Sequence, residues 1–266
     1  MSWALILGAS SGTGAAIARA VAREPGLHVL GFHRGRHAAA AAAVERDVAA
    51  LGRRVVLEQA DAATPEGAAA GAAALLRLAG PRSVDLFVHS IAAGSVGRLI
   101  SGQDDQLHPK QLARTFETMA HSFVYWAQAL VAADLLADGA LLLGLTNPLG
   151  EQLLHNTAAI TAAKAALEIY VRHLALELGP RGHTVCLLKF GTVWTPALDH
   201  VYDEAARRSL EAAHERMIPA GRMCTTDEVA ALVPLLLDRR SRWFNGSTID
   251  FTGGMTLRLL DLVLNP

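Results

Sequence analysis

Leu5-Ile6-Leu7-Gly8-Ala9-Ser10-Ser11-Gly12-Thr13-Gly14-Ala15-Ala16-Ile17-Ala18 runs from an apolar strand, through three glycines, into an alanine-rich helix. A strand that turns directly into a helix leaves the first backbone N–H groups of that helix unpaired. The helix dipole adds partial positive charge at the same point, so the turn can hold an anion without a basic side chain. Glycine suits a chain that must bend tightly and let a ligand approach the main chain. Strand, turn, helix and position near the N-terminus agree on a dinucleotide-binding turn, with Gly8, Ser10, Ser11, Gly12, Thr13 and Gly14 around the pyrophosphate.

Outward from this stretch, short apolar runs recur: His28–Phe32, Val55–Leu57, Val84–Val88, Ala140–Leu143, Val185–Leu188 and Ser247–Asp250. Each has the character of a strand buried on both faces, and helical patterns separate them. The alternation predicts a parallel, doubly wound α/β sheet with right-handed crossovers, the Rossmann architecture. No linker divides the chain, so one domain over 1–266 is expected. The alanine run Ala38–Ala43, flanked by charge, reads as an exposed helix.

The 266 residues are 52% hydrophobic with a net charge of −1, enough to bury a core and without a broad field for nucleic acid or anionic lipid. A small-molecule substrate is the expected partner. Cys186 and Cys224 lie far apart and outside any Cys/His spacing, so neither a disulfide framework nor a metal site is expected. The start of the chain lacks a basic signal region and no apolar run reaches membrane length, which together suggest a cytoplasmic protein.

Ligands of such sheets bind beyond the carboxyl ends of the strands. After the second strand comes Phe32-His33-Arg34-Gly35-Arg36, with no carboxylate for a ribose 2′-hydroxyl. Arg34 and Arg36 are placed to accept a 2′-phosphate, favouring NADPH over NADH, although a solvated basic loop has the same composition. Thr64-Pro65-Glu66 opens the next helix with a cap and a proline at its first position.

The glycine spacing, Gly-x-x-x-Gly-x-Gly, resembles the short-chain dehydrogenase/reductase superfamily, with Leu7 where that family usually has Thr. His89-Ser90-Ile91 and Ser122-Phe123-Val124 are similar to the divergent enoyl-acyl-carrier-protein reductases. The resemblance implies that Asp61, beside Ala62, meets the adenine amino group, and that Ser90, Ile91 and Ala92 line the cofactor. It implies that Gly191, Val193 and Thr195 meet the nicotinamide side, with Thr192 where the enoyl reductases have Pro. It makes 197–218 a substrate lid. The apolar tail 255–266, from Leu257 to Leu264, is expected in a subunit interface of a homotetramer. Thr225 and Glu228 have capping-box spacing. His89 and His121 read as core histidines.

The same resemblance exposes a gap. Ile160-Thr161-Ala162-Ala163-Lys164 matches the helix that carries the family's Tyr-x-x-x-Lys pair, and Lys164 would bind the nicotinamide ribose. Ile160 stands where the tyrosine belongs. The enoyl reductases place it seven before the lysine, at Thr157; their serine and second tyrosine fall on Thr146 and Asn147. Reduction of a carbonyl or enoyl group builds charge on oxygen, which needs a positioned acid. Thr146, Asn147 and Thr157 are therefore expected around the reacting centre, with Tyr202 as a distant substitute and Tyr170 on another helix face. Two functions are expected: an NADPH-dependent reductase of an enoyl or keto group, such as an acyl thioester, or a nucleotide-binding member without redox activity that serves as a regulatory or partner subunit or as a lyase or isomerase.

Overall fold

The computed structural model describes residues 1–151, 153–199 and 203–257. Seven parallel strands form one sheet: β1 (Ser2–Leu7), β2 (Leu27–His33), β3 (Val55–Gln59), β4 (Val84–His89), β5 (Leu136–Thr146), β6 (Thr184–Phe190) and β7 (Thr248–Phe251). Their order is β3-β2-β1-β4-β5-β6-β7. The helices are α1 (Gly12–Val21), α2 (Ala38–Ala50), α3 (Pro65–Ala79), α4 (Pro109–Phe116), α5 (Ser122–Ala132), α6 (Ala158–Leu178), α7 (Pro196–Asp199), α8 (Glu204–Met217) and α9 (Thr226–Leu236). A wider π turn, Glu117–His121, joins α4 to α5. No helix among the described residues is long and apolar enough to cross a membrane.

The strand β1 shows why both faces are covered. Side chains alternate across a strand, so Trp3, Leu5 and Leu7 enter one core layer while Ala4 and Ile6 enter the other. The first layer packs under α3, α5 and α6, the second under α1, α2 and α9. Trp3 to Leu7 are all fully buried, as a central strand requires. Ala15, Ala16 and Ala18 leave α1 narrow on its inner side, and it packs closely against α9. The alanine-rich α2 corrects the sequence reading in one respect: Ala41, Val44 and Val48 form a buried stripe, so only its outer face is exposed.

The chain order reverses between β1 and β4, which pair directly, Leu7 opposite His89. Such a reversal opens a crevice at the carboxyl ends of the two strands. The caps foreseen for α3 and α9 are present: Thr64 Oγ1 accepts from the Gly67 N–H, and Thr225 and Glu228 form a reciprocal capping box. Of the expected lid, residues 200–202 lie outside the described residues, as do 258–266 of the apolar tail.

Candidate functional site

The turn from β1 into α1 is held by backbone. Gly8 donates to Phe32 O, and Ser90 donates to Leu7 O, tying the end of β4 to the glycine turn. Gly8 has φ +81°, and a Cβ there would sit 2.4 Å from Ser90 O. A Cβ on Gly14 would sit 2.2 Å from Gly8 O. Any side chain at either place would push the turn off the sheet. Ser11, the N-cap of α1, makes no side-chain cap, and no acidic residue occupies the first turn. The N-terminus of α1 therefore retains the donors and the field an anion needs.

A cleft of about 750 Å³ opens from this turn. Gly8, Ser10, Ser11, Gly12 and Thr13 form its floor, with Arg34, Arg36, Asp61 and Ala62 at one end and Ser90, Ile91 and Ala92 along the β4 side. Thr195 and Pro196 close it from the loop after β6, where the Thr195 methyl lies close to Gly12. Gly14 is instead packed behind the floor, and Gly191 and Val193 are buried beneath the loop. Sequence reasoning missed Ser95 and Thr118, which also line the cleft. Thr118 sits on the π turn, where no periodic pattern marks it, and its buried Oγ1 has no hydrogen-bond partner.

Charge gathers at the Arg34 end. Arg34 has its pKa lowered by burial first and by Arg36 next, with Asp61 opposing and Arg114 adding to the lowering. Burial alone would raise the Asp61 carboxyl. Hydrogen bonds from Arg114 and from the Ala63 N–H outweigh it and hold the pKa low. Arg114 Nη2 donates to Asp61 Oδ2 at 2.6 Å and Ala63 N to Oδ1 at 3.1 Å, which fixes the carboxylate. Arg114, in the last turn of α4, carried no sequence signal.

The other half of the site is built differently. Lys164 is buried on α6, and its Nζ donates to Leu145 O at 2.6 Å. Burial pushes its pKa down to about 8. It is not among the residues lining the cleft, nor are Thr146, Asn147 and Thr157. Thr157 caps α6 by position only, its hydroxyl donating to Leu154 O at 2.7 Å. Asn147 Oδ1 accepts from the Leu149 N–H, and Thr146 ends β5 in a buried position opposite Lys189. Ile160 packs against the core, close to Gly94.

The neighbouring polar groups have other partners. His89 is fully buried and neutral, its pKa lowered to about 3 by burial first and by Lys164 second. Ser122 Oγ donates to Thr118 O, so His89 Nε2 donates to Ser122 Oγ at 2.7 Å, leaving Nδ1 without a partner. Tyr170 OH shares a 3.1 Å hydrogen bond with His121 Nδ1, away from Lys164 as its helix face required. Lys189 pairs with Glu151 and Asp250. Tyr202 lies outside the described residues. Among the described residues no group of three His, Cys, Asp or Glu is placed to hold a metal ion.

The family model described as "Enoyl-(Acyl carrier protein) reductase" matches residues 8–256. The chain is 28% identical over 253 residues to a 1-cyclohexenylcarbonyl-CoA reductase of Streptomyces collinus, covering 95% of this chain and 86% of that protein. It is 30% identical over 262 residues to an uncharacterized oxidoreductase of Mycobacterium tuberculosis, covering 97% and 94%. A short-chain dehydrogenase of Burkholderia cenocepacia solved in complex with NADP superposes with a TM-score of 0.79 at 27% identity, over 96% of this chain and 97% of that one. The glycine turn, the crevice beside it and a family match over nearly the full length agree: the chain belongs to the short-chain dehydrogenase/reductase superfamily.

Proposed function

We propose that the protein is an NADPH-dependent reductase that delivers hydride to an enoyl or keto group, carried on an acyl thioester. The observation that carries the cofactor reading is the cleft itself: an uncapped helix N-terminus for the pyrophosphate, with Arg34 and Arg36 at the end where a 2′-phosphate would lie. The end of β2 carries no Asp or Glu, and Asp61 nearby is held by Arg114, so the ribose hydroxyl of NADH meets no free carboxylate there, whereas guanidinium groups pair well with phosphate. The thioester is suggested by the Streptomyces collinus relative, whose name places its chemistry on a CoA ester.

When bound, the dinucleotide supplies the hydride. The chain's own residues hold it in place and deal with the charge that develops on substrate oxygen. Gly8 and Gly14 keep the turn tight, Asp61 faces the adenine end, and Thr195 closes the opposite side. Lys164, released from Leu145 O, would reach the nicotinamide ribose. With Ile160 in place of a phenol, Thr146, Asn147 and a Thr157 hydroxyl turned away from Leu154 O would be the neutral donors left to hold the oxygen, and solvent would supply the proton. Aliphatic hydroxyls are weaker acids than an activated phenol, so slow turnover is expected, general acid catalysis contributing about 10²–10⁴-fold where it is present. The enzyme works as a homo-oligomer, a role to which the exposed Ile169 and Leu176 on α6 are suited.

One observation favours a second reading, a nucleotide-binding member without redox activity. Lys164 is turned onto Leu145 O and stands outside the cleft lining. The test is NADPH consumption by the purified protein with excess short-chain enoyl-CoA, compared with Lys164→Ala and Thr157→Val. Turnover that falls in both variants supports the reductase. Tight NADPH binding with no consumption overturns the thioester chemistry and favours the non-redox role.

A further inference from the structure

The loop after β6 faces two ways. On its cofactor side Thr195 packs against Gly12 of the glycine turn. On its outer side the same loop meets α8. Arg207 lies over the Trp194 ring at 4.5 Å, and two turns further along, His214 reaches Thr192. Residues seven apart share a helix face, so both contacts come from one stripe of α8. Leu210 and Met217, both only partly buried, are the apolar members of that stripe. Within α8 only His214 is buried, at 3% exposure.

Both ring nitrogens of His214 are engaged. Nδ1 lies 2.7 Å from Leu210 O, which can only accept, so Nδ1 carries the proton. Nε2 is then an acceptor, and the Thr192 hydroxyl donates to it at 2.9 Å. The hydrogen bond is directional and partly buried, so it sets where Thr192 sits as well as how firmly α8 is docked. Ile218, just past the helix, is also buried, beside Gly253 in the turn after β7. A helix with so little apolar surface depends on such contacts to stay in one place.

We propose that His214 is a positioning residue for the nicotinamide half of the cofactor: through Thr192 it fixes the loop 191–195, so that docking of α8 and closure of that end of the cleft are one event. The inference rests on the cofactor reading above. It extends that reading to a residue that does not line the cleft and lies 22 positions along the chain from Thr192.

The test compares two probes by titration of intrinsic fluorescence: NADPH, and 2′-phospho-ADP-ribose, which lacks the nicotinamide ring. His214→Ala and Thr192→Val should each weaken NADPH about ten-fold, in line with loss of a partly buried hydrogen bond, and leave the ring-less probe within about two-fold. Thr192→Val preserves volume and leaves His214 packed, so it decides the matter should His214→Ala fold poorly. His214→Gln, which keeps an acceptor for Thr192, should recover most of the affinity. In the wild-type protein, amide exchange in α8 should slow with NADPH and stay unchanged with the ring-less probe. Equal weakening of both probes, or of neither, overturns the positioning role. A wild-type protein that binds neither probe overturns the cofactor reading instead.

Discussion

The two halves of the candidate site are built by different means. On the β1–α1 side the work is done by main chain: Gly8 and Gly14 allow contacts that no side chain could share, and the anion meets backbone N–H groups. On the β5–α6 side everything depends on side chains, and there an aliphatic Ile160 stands one turn before Lys164, which has folded onto Leu145 O. A site made of backbone geometry persists as long as the fold does. A site made of side chains can lose its acid by one substitution without disturbing the sheet.

The largest expected effect tests the backbone half. Gly14→Val would place carbon atoms on Gly8 O, where even a Cβ comes within 2.2 Å. NADPH affinity should fall by at least about 10³-fold, since the pyrophosphate turn and its close helix packing are lost together. Retained affinity in a fluorescence titration would break the comparison at its root.

The opposite change should be tolerated and productive. Ile160→Tyr returns a phenol to the α6 turn preceding Lys164, next to Gly94 on the cleft wall. Turnover of an enoyl thioester should rise by about 10²-fold, the low end of what a positioned acid contributes. No gain in rate, with NADPH still bound, would mean that the missing acid is not what limits this half of the site.

Lys164 gives an effect of intermediate size that reads out in stability. Its folded-state pKa of about 8 lies below the ordinary value of 10.5, because burial disfavours the charged form. The folded state therefore binds fewer protons than the unfolded state between these values, and stability rises with pH across that window. Below pH 8 the full penalty applies, about 3 kcal/mol from a shift of this size. Lys164→Met should stabilise the protein at pH 7 by about 2 kcal/mol, after allowing for the hydrogen bond lost from Leu145 O. The advantage should shrink as pH rises from 8 towards 10.5, and thermal melts across that range would show it. A destabilised variant would mean that the lysine is held by more than its one bond.

The smallest effect belongs to Arg114. Its ion pair with Asp61 is close to half exposed on both sides, and such pairs are typically worth under about 1 kcal/mol. Arg114→Gln should weaken NADPH by less than about three-fold while leaving the NADPH/NADH preference with Arg34 and Arg36. A larger loss would make the adenine end depend on side chains as much as the catalytic end does.

Legibility in the sequence followed the same division. The strands, the glycine turn and the caps at Thr64 and Thr225 were readable because each rests on local chemistry, a period or a spacing within a few residues. The position of Arg34, Arg36 and Asp61 at the cleft was readable because they follow strands whose ends must reach the crevice. Arg114 and Thr118 were not, because their meaning arises only when α4 brings Arg114 to Asp61 and the π turn brings Thr118 to the cleft. The inward turn of Lys164 was also invisible: it depends on a carbonyl nineteen positions earlier, on a neighbouring element. His214 reads from sequence as one polar residue in a polar helix, and only the fold brings it to Thr192.

The glycine turn also bears on how such a chain changes over generations. Its anion site has no charged side chain to lose, and the glycines that shape it are equally required to seat α1 against the sheet. Selection for mere foldability therefore preserves the nucleotide pocket, whether or not any reaction is being selected. The residues on α6 have no such protection. A lineage of this architecture can drift from one chemistry to another, or to none, while continuing to carry the same nucleotide, and a new activity would start from a protein already loaded with its reagent.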